Sequence, residues 1–320
     1  MKNLLGTDLK SIVNEIEKHD VIILHRHSFP DGDAIGSQAG MRFLIEENYP
    51  GKKVYLTGDP AGRYGFVYGC EPQTIEDNVF SGALCIVLDT PDRAMIADAR
   101  YKFADKSIRF DHHIYVEKWC DIELIDSEAE SCCGLVTDFA REVGWKINKN
   151  AADALFTGLA TDSGRFRYDC VNGDTMRRAA LLLDSGADCQ TIYGNLYKEN
   201  LARVRTRAAF TLKAKFTEHN VGYLFNTAKE VEESGMDSFS VSRGMVGVMA
   251  DIKGVNIWVN FTETERGVLC ELRSSGYNIN PIAVKYGGGG HAKASGATLK
   301  DFDEAKRMLL ELDEIAATLE

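Results

Sequence analysis

The chain has 320 residues, with 37 Lys and Arg against 48 Asp and Glu, a formal net charge of −11, and 44% hydrophobic and 27% charged positions. This is the composition of an ordinary globular protein, long enough for two domains. It argues against a membrane-spanning chain, because no apolar run approaches ~18 residues. It also argues against a duplex-coating protein, which needs many Lys and Arg contacts with phosphates.

Residues 1–20 read as an amphipathic helix without the continuous apolar stretch of a signal peptide. VIILH (21–25), KVYLTG (53–58), ALCIVLD (83–89) and SIRFD (107–111) read as buried strands, being short and rich in β-branched residues. Helical patterns at 34–48 and 131–144 alternate with them. The alternation predicts an α/β fold: a mostly parallel sheet of five or six strands with flanking helices on both faces, over residues 1–190. Ligands gather at the C-terminal ends of strands in such sheets. Residues 191–216 read as a connecting helix, with six basic residues and one acidic in 197–216. That basic stretch suits a solvated helix face or an electropositive wall toward a polyanion. Residues 217–320 predict a smaller α/β domain with a mixed sheet, from strand patterns at 221–226, 255–263 and 267–275 and helical patterns at 280–286 and 303–319. The eight cysteines form no CxxC and no Cys/His ligand spacing, so reduced thiols in a cytoplasmic protein are expected and structural zinc is not.

The first strand ends in His25-Arg26-His27, and Pro30 then leads into Asp31-Gly32-Asp33 at a helix start. Taken alone, Asp31 or Asp33 is ordinary turn and N-cap chemistry. The same layout recurs, however. Asp89 ends the third strand, Asp111 ends the fourth and precedes His112 and His113, and Asp162 closes an apolar helix before a glycine turn. Several carboxylates packed on one rim repel unless cations neutralise them. Oxygen and imidazole donors without thiolate favour Mn²⁺, with Mg²⁺, Co²⁺ or Fe²⁺ as substitutes. About four carboxylates balance two divalent ions, the arrangement of two-metal phosphoryl-transfer sites.

H-x-x-P-D-G-D-A-I-G-S (27–37), Asp89, Asp111-His112-His113 and T-D-S-G-R-F (161–166) resemble, in order, the four motifs of the DHH phosphoesterase superfamily, to which RecJ-like exonucleases belong. L-R-S (272–274) and G-G-G-G-H-A-K-A-S-G-A (287–297) resemble the DHHA1 domain. Together these span 21–297, and the length is similar to the short nanoRNase/pAp phosphatase (NrnA-type) branch. The resemblance implies that His27 and Asp31 bind one metal, that Asp33, His112 and Asp162 bind a second, and that Asp89 bridges both. It further implies that His113 faces the scissile phosphate and that Asp111 orients a neighbouring histidine; for His25 a core or supporting role is the expectation. In the second domain, Arg273, Ser274, Gly288, Gly289, Gly290, His291 and Ser295 would grip the nucleotide. The glycines would form an anion-binding nest of backbone N–H groups, and Arg165 would add a phosphate contact.

The implied function is metal-dependent hydrolysis of very short oligoribonucleotides to nucleoside monophosphates, and removal of the 3′-phosphate of adenosine 3′,5′-bisphosphate (pAp). The alternatives are a phosphodiesterase for cyclic di-AMP or pApA, and a non-catalytic nucleotide- or RNA-binding module. The expected partners are pAp, dinucleotides and short RNA, with neither long duplexes nor membrane. The sequence leaves monomer or homodimer open.

Overall fold

The computed structural model describes residues 8–318. It divides into two compact units, the first ending at Lys198 and the second beginning at Glu199. The segment expected as one connecting helix is instead two helices, broken at 198–200.

In the first unit the order is α1 (Leu9–Lys18), β1 (Val21–His25), α2 (Gly32–Asn48), β2 (Lys53–Leu56), β3 (Leu84–Leu88), β4 (Lys106–Asp111), β5 (Ile122–Ile125), α3 (Cys132–Glu142), α4 (Lys149–Asp162), α5 (Gly173–Asp184) and α6 (Cys189–Tyr197). The amphipathic helix expected over 1–20 is observed as α1; residues 1–7 of that expectation lie outside the described residues. The five strands form one parallel sheet in the order β2-β1-β3-β4-β5. Side chains alternate with the period-2 pleat. Ile22, Leu24, Leu84, Ile86, Leu88, Ile108 and Phe110 face the helices, while Ile23, Cys85 and Val87 face the opposite side. That opposite side is covered by Phe80, Ile96 and Tyr101 from irregular segments and short 3₁₀ turns, not by α-helices.

Helix α2 is buried along nearly its whole length, as expected of a helix enclosed on all sides. Gly32, Gly36 and Gly40 recur every fourth residue on one face, against α4. A Cβ at Gly36 would lie 2.5 Å from the Ala154 carbonyl, and one at Gly158 of α4 would lie 2.2 Å from Cys133 Sγ. These glycines let α2, α3 and α4 approach backbone to backbone. The close approach brings the start of α2 to the end of α4.

The second unit runs α7 (Leu201–Lys213), β6 (Lys215–Phe216), β7 (Gly222–Asn226), α8 (Ala228–Ser234), α9 (Ser238–Met245), β8 (Ile257–Thr264), β9 (Gly267–Ser274), α10 (Asn280–Lys285), β10 (Gly289–His291), β11 (Ala294–Leu299) and α11 (Phe302–Ala317). Its mixed sheet has the order β10-β11-β9-β8-β7-β6, with β7 and β8 parallel and the other pairs antiparallel. Val259, Phe261, Cys270 and Leu272 pack with α10 and α11. Leu224 and Trp258 pack on the other side with α7 and α9. Position 319 of the predicted last helix lies outside the described residues. Among the described residues no helix is long and apolar enough to cross a membrane, and the eight cysteines are free thiols.

Candidate metal centre

The chain leaves β1 to one side of the sheet for β2 and returns on the other for β3. This reversal opens a crevice at the C-terminal strand ends. His27 and Asp89 sit just past β1 and β3, Asp111 ends β4 with His112 and His113 just beyond it, Asp31 and Asp33 begin α2, and Asp162 ends α4.

The ligand atoms meet in three overlapping groups: His27–Asp31–Asp89, Asp33–His112–Asp162 and Asp89–His112–His113. His27 Nε2 lies 3.9 Å from Asp31 Oδ1 and 3.5 Å from Asp89 Oδ2. His112 Nε2 lies 3.7, 3.5 and 3.3 Å from Asp33 Oδ2, Asp89 Oδ1 and Asp162 Oδ2. Most of these separations are too long for good hydrogen bonds. They match two donors each ~2.1 Å from a shared cation. The two oxygens of Asp89 face different histidines, and Asp89 Oδ1 is buried without a hydrogen-bond partner among the described residues. Asp89 also holds φ +51°, a conformation that costs about 1–3 kcal/mol and persists only where its surroundings enforce it. An orphaned carboxylate oxygen among imidazoles and carboxylates fits a bound divalent cation.

Backbone carbonyls lie beside the far ring nitrogens. His27 Nδ1 is 2.8 Å from the Ser28 carbonyl and His112 Nδ1 is 3.4 Å from that of Ala129. A proton held at Nδ1 leaves each Nε2 lone pair facing the carboxylates, the usual support for a metal-bound imidazole. His113 differs. Its Nδ1 donates to Asp111 Oδ1 at 2.8 Å, and its ring remains 41% exposed. Asp33 accepts from the backbone N–H groups of Cys132 (2.6 Å) and Cys133 (2.9 Å) at the α3 N-terminus, where Ser131 caps the helix. Helix N–H groups hold that carboxylate in place while it is fully buried.

The titration behaviour follows. Burial, then the charges of Asp89 and Asp162, push the Asp33 carboxyl well above the usual carboxylate range. Burial, reinforced by Asp89 and Asp31, raises Asp162 to about 7. Burial opposes protonation of His27, yet the Asp89 carboxylate and the Ser28 carbonyl facing its two ring nitrogens carry it up to about 9. Without a cation the cluster gathers protons, which a metal displaces.

His25 lies outside this group. Its Nε2 is 3.2 Å from Cys85 Sγ, its ring packs near Phe80 and Tyr101, and burial lowers it to about 4. It is a neutral core histidine.

In the second unit the register aligns His291 with Ala294 and Ala294 with Arg273, so the two DHHA1-like motifs share one row of the sheet. His291 is exposed, and Arg273 Nη1 donates to Glu271 and to the Leu272 carbonyl. The expected open nest is corrected. Gly289–His291 pairs with β11, and Gly288 and Gly290 are needed because a Cβ would strike the Gly296 carbonyl at 2.1 Å or the Ala294 carbonyl at 2.6 Å. Ser274 and Ser295 are buried, with hydroxyls donating to the carbonyls of Tyr277 and His291. The Ser295 contact braces the hairpin, and that of Ser274 holds the loop after β9. Arg165 lies in the first unit beside Asp162, stacked on Tyr197. Sequence reasoning missed Ser131, although S-C-C-G ahead of an apolar helix is an N-cap signal.

Residues 21–159 match the DHH family, N-terminal domain, and residues 228–318 match the DHHA1 domain. The chain is 32% identical over 305 residues to the bifunctional oligoribonuclease and PAP phosphatase NrnA of Bacillus subtilis, covering 94% of this chain and 96% of that protein. It is 30% identical to the Mycoplasma genitalium protein of that name, over 90% and 91% of the two chains. A cyclic-di-AMP phosphodiesterase, GdpP of Geobacillus thermodenitrificans, is 24% identical over 92% of this chain but only 47% of its own length. The crystal structure of an exopolyphosphatase-related protein from Bacteroides fragilis shares the fold, with a TM-score of 0.84 at 24% identity and 97% coverage of each chain.

Proposed function

The chain belongs to the DHH/DHHA1 phosphoesterase superfamily, and from that premise we propose that it hydrolyses very short oligoribonucleotides to nucleoside monophosphates and removes the 3′-phosphate of pAp. The observation that carries the reading is the buried Asp89 carboxylate, whose Oδ2 faces His27 while its Oδ1, without a hydrogen-bond partner among the described residues, faces His112. Full-length similarity to relatives named for both activities supports the substrate choice.

In this reading His27 and Asp31 hold one divalent ion, Asp33, His112 and Asp162 hold a second, and Asp89 serves both, with Mn²⁺ the preferred metal. Bound ions would supply Lewis-acid polarisation of the phosphoryl group and an activated water. The Asp111–His113 hydrogen bond fixes the His113 ring. Although burial opposes it, Asp111 favours the doubly protonated ring, whose exposed Nε2–H then donates a hydrogen bond to the phosphate, or a proton to the leaving oxygen. Asp33, tied to α3, sets the position of the second site. Arg273, His291 and the glycine hairpin engage the nucleotide in the second unit.

Mn²⁺ is expected to raise the unfolding temperature in a saturable way, because a ligand at one hundred times its Kd stabilises by ~2.7 kcal/mol. EDTA should reverse the shift; a thermal melt insensitive to Mn²⁺ would remove the metal from this reading. The deciding assay is product analysis after Mn²⁺ incubation with pAp, pApA, cyclic di-AMP and an RNA length series. AMP from pAp, and monophosphates from RNA of only a few nucleotides, are expected. Turnover confined to cyclic di-AMP would replace the proposal with the phosphodiesterase reading. No turnover of any phosphate ester would refute both.

A further inference from the structure

Beside the metal cluster, and wholly within the first unit, lies a cleft of about 370 Å³. Asp31 and Asp162 line it, so it opens directly onto the cluster. The rest of its lining is of opposite character, with the guanidinium groups of Arg63, Arg165 and Arg167 beside Tyr64 and Tyr197.

Two of these arginines are held in place by ring faces. The Arg165 guanidinium lies 3.8 Å from the centre of the Tyr197 ring, and that of Arg63 lies 4.7 Å from the centre of Tyr64. Neither forms an ion pair among the described residues, in a chain with a net charge of −11. Many other arginines find carboxylates, as Arg100 does with Asp77 and Asp98 and Arg203 with Glu199. A guanidinium stacked on an aromatic ring keeps its planar fork of donors for something else.

The backbone is shaped around Arg165. Gly164, Arg165 and Phe166 have consecutive φ values of +57°, +62° and +62°, a left-handed run that costs energy at the two residues with side chains. Ser163 holds the turn together. Its Oγ accepts from the Phe166 N–H, and its carbonyl accepts from those of Arg167 and Tyr168. Phe166 is anchored against Phe156. The strain is local and places a cation at the rim of the cleft.

We propose that Arg63 and Arg165 form an anion subsite for the 5′-phosphate of a nucleoside whose 3′-phosphoryl ester lies at the metal cluster. The proposal rests on the hydrolase reading and refines its substrate class. It also accounts for one site serving two substrates, because pAp and pApA share a 5′-phosphorylated adenosine esterified at O3′. A phosphate group accepts the guanidinium fork in two places.

The test compares kcat/KM for pAp and 3′-AMP, which differ only in the 5′-phosphate. The wild-type protein should prefer pAp by ~100-fold, and Arg63→Ala or Arg165→Ala should each reduce that preference by roughly 10–30-fold. Arg165→Lys should recover only part of it, since an ammonium lacks the fork. An independent readout is calorimetric binding of 5′-AMP in EDTA, expected for the wild-type protein and lost in the double variant. Turnover with an unchanged preference would overturn the subsite and leave the hydrolase reading standing. Equal losses on both substrates would assign the arginines to charge balance of the cluster and overturn it too. If the wild-type protein turned over no phosphate ester, the hydrolase reading would fail, and 5′-AMP binding would still decide the subsite.

Discussion

Asp89→Asn is expected to lower kcat/KM at least ~10³-fold while leaving the protein folded. The loss corresponds to about 4 kcal/mol of transition-state stabilisation. It follows because one carboxylate faces both His27 and His112, and the amide replaces a charged oxygen with an N–H donor. Stability should fall as well, though by less. Asparagine tolerates the φ of +51°, and its neutrality relieves the repulsion with Asp33 and Asp162. Against burial, however, His112 and His27 hold the Asp89 carboxyl well below the usual carboxylate range, and the amide forfeits that attraction. The metal-free variant should therefore unfold somewhat below the wild-type temperature and show no Mn²⁺-induced shift. Activity within tenfold of wild type would remove Asp89 from the centre of the mechanism, and a metal-free variant more stable than wild type would contradict its net attraction to the histidines.

Gly158→Ala should destabilise the first unit by about 2–3 kcal/mol, although alanine is the better helix former. The added Cβ would lie 2.2 Å from Cys133 Sγ, 2.8 Å from Asp33 Oδ1 and 3.0 Å from Asp33 Cα. The sulfur can be removed, whereas the Asp33 backbone has little room to yield. Cys133→Ala combined with Gly158→Ala should recover at least half of the loss, a coupling that a double-mutant cycle in denaturant unfolding measures. Activity should fall further than stability, because displacing α4 carries Asp162 away from His112, now 3.3 Å away. Additive losses in the double variant would show that Cys133 is not the obstacle.

The cluster of His and Asp side chains was legible because most of its members follow an apolar run that stops abruptly, and a parallel sheet collects its strand ends on one edge. Strand β5 escaped notice because Ile122–Ile125 is four residues long and holds a glutamate, too short to establish a period. The helix-free covering of the second sheet face was equally hidden, since Ile75, Phe80, Ile96 and Tyr101 come from segments without periodicity. The glycine run misled for a different reason. Four glycines read as conformational freedom, but here they permit close backbone approach in a hairpin. Arg63 carried no motif, and its importance arises only where the fold sets it beside residues a hundred positions later. Asp33 is a similar case: the turn chemistry was visible, the α3 N–H groups that hold it were not.

The glycine stripe on α2 has a consequence for the chain during synthesis. Gly32, Gly36 and Gly40 make α2 a poor helix by itself, and its partner α4 lies more than a hundred residues later. Asp33 meets its α3 donors only across 99 and 100 residues, and Asp162 comes later still. At ribosomal rates the interval from His27 to Asp162 is on the order of 10 s. During that interval His27, Asp31 and Asp33 exist on a nascent chain without the neighbours that make them a centre. A phosphoesterase built in this way would be inert until the first unit is complete, and would gain its chemistry only then.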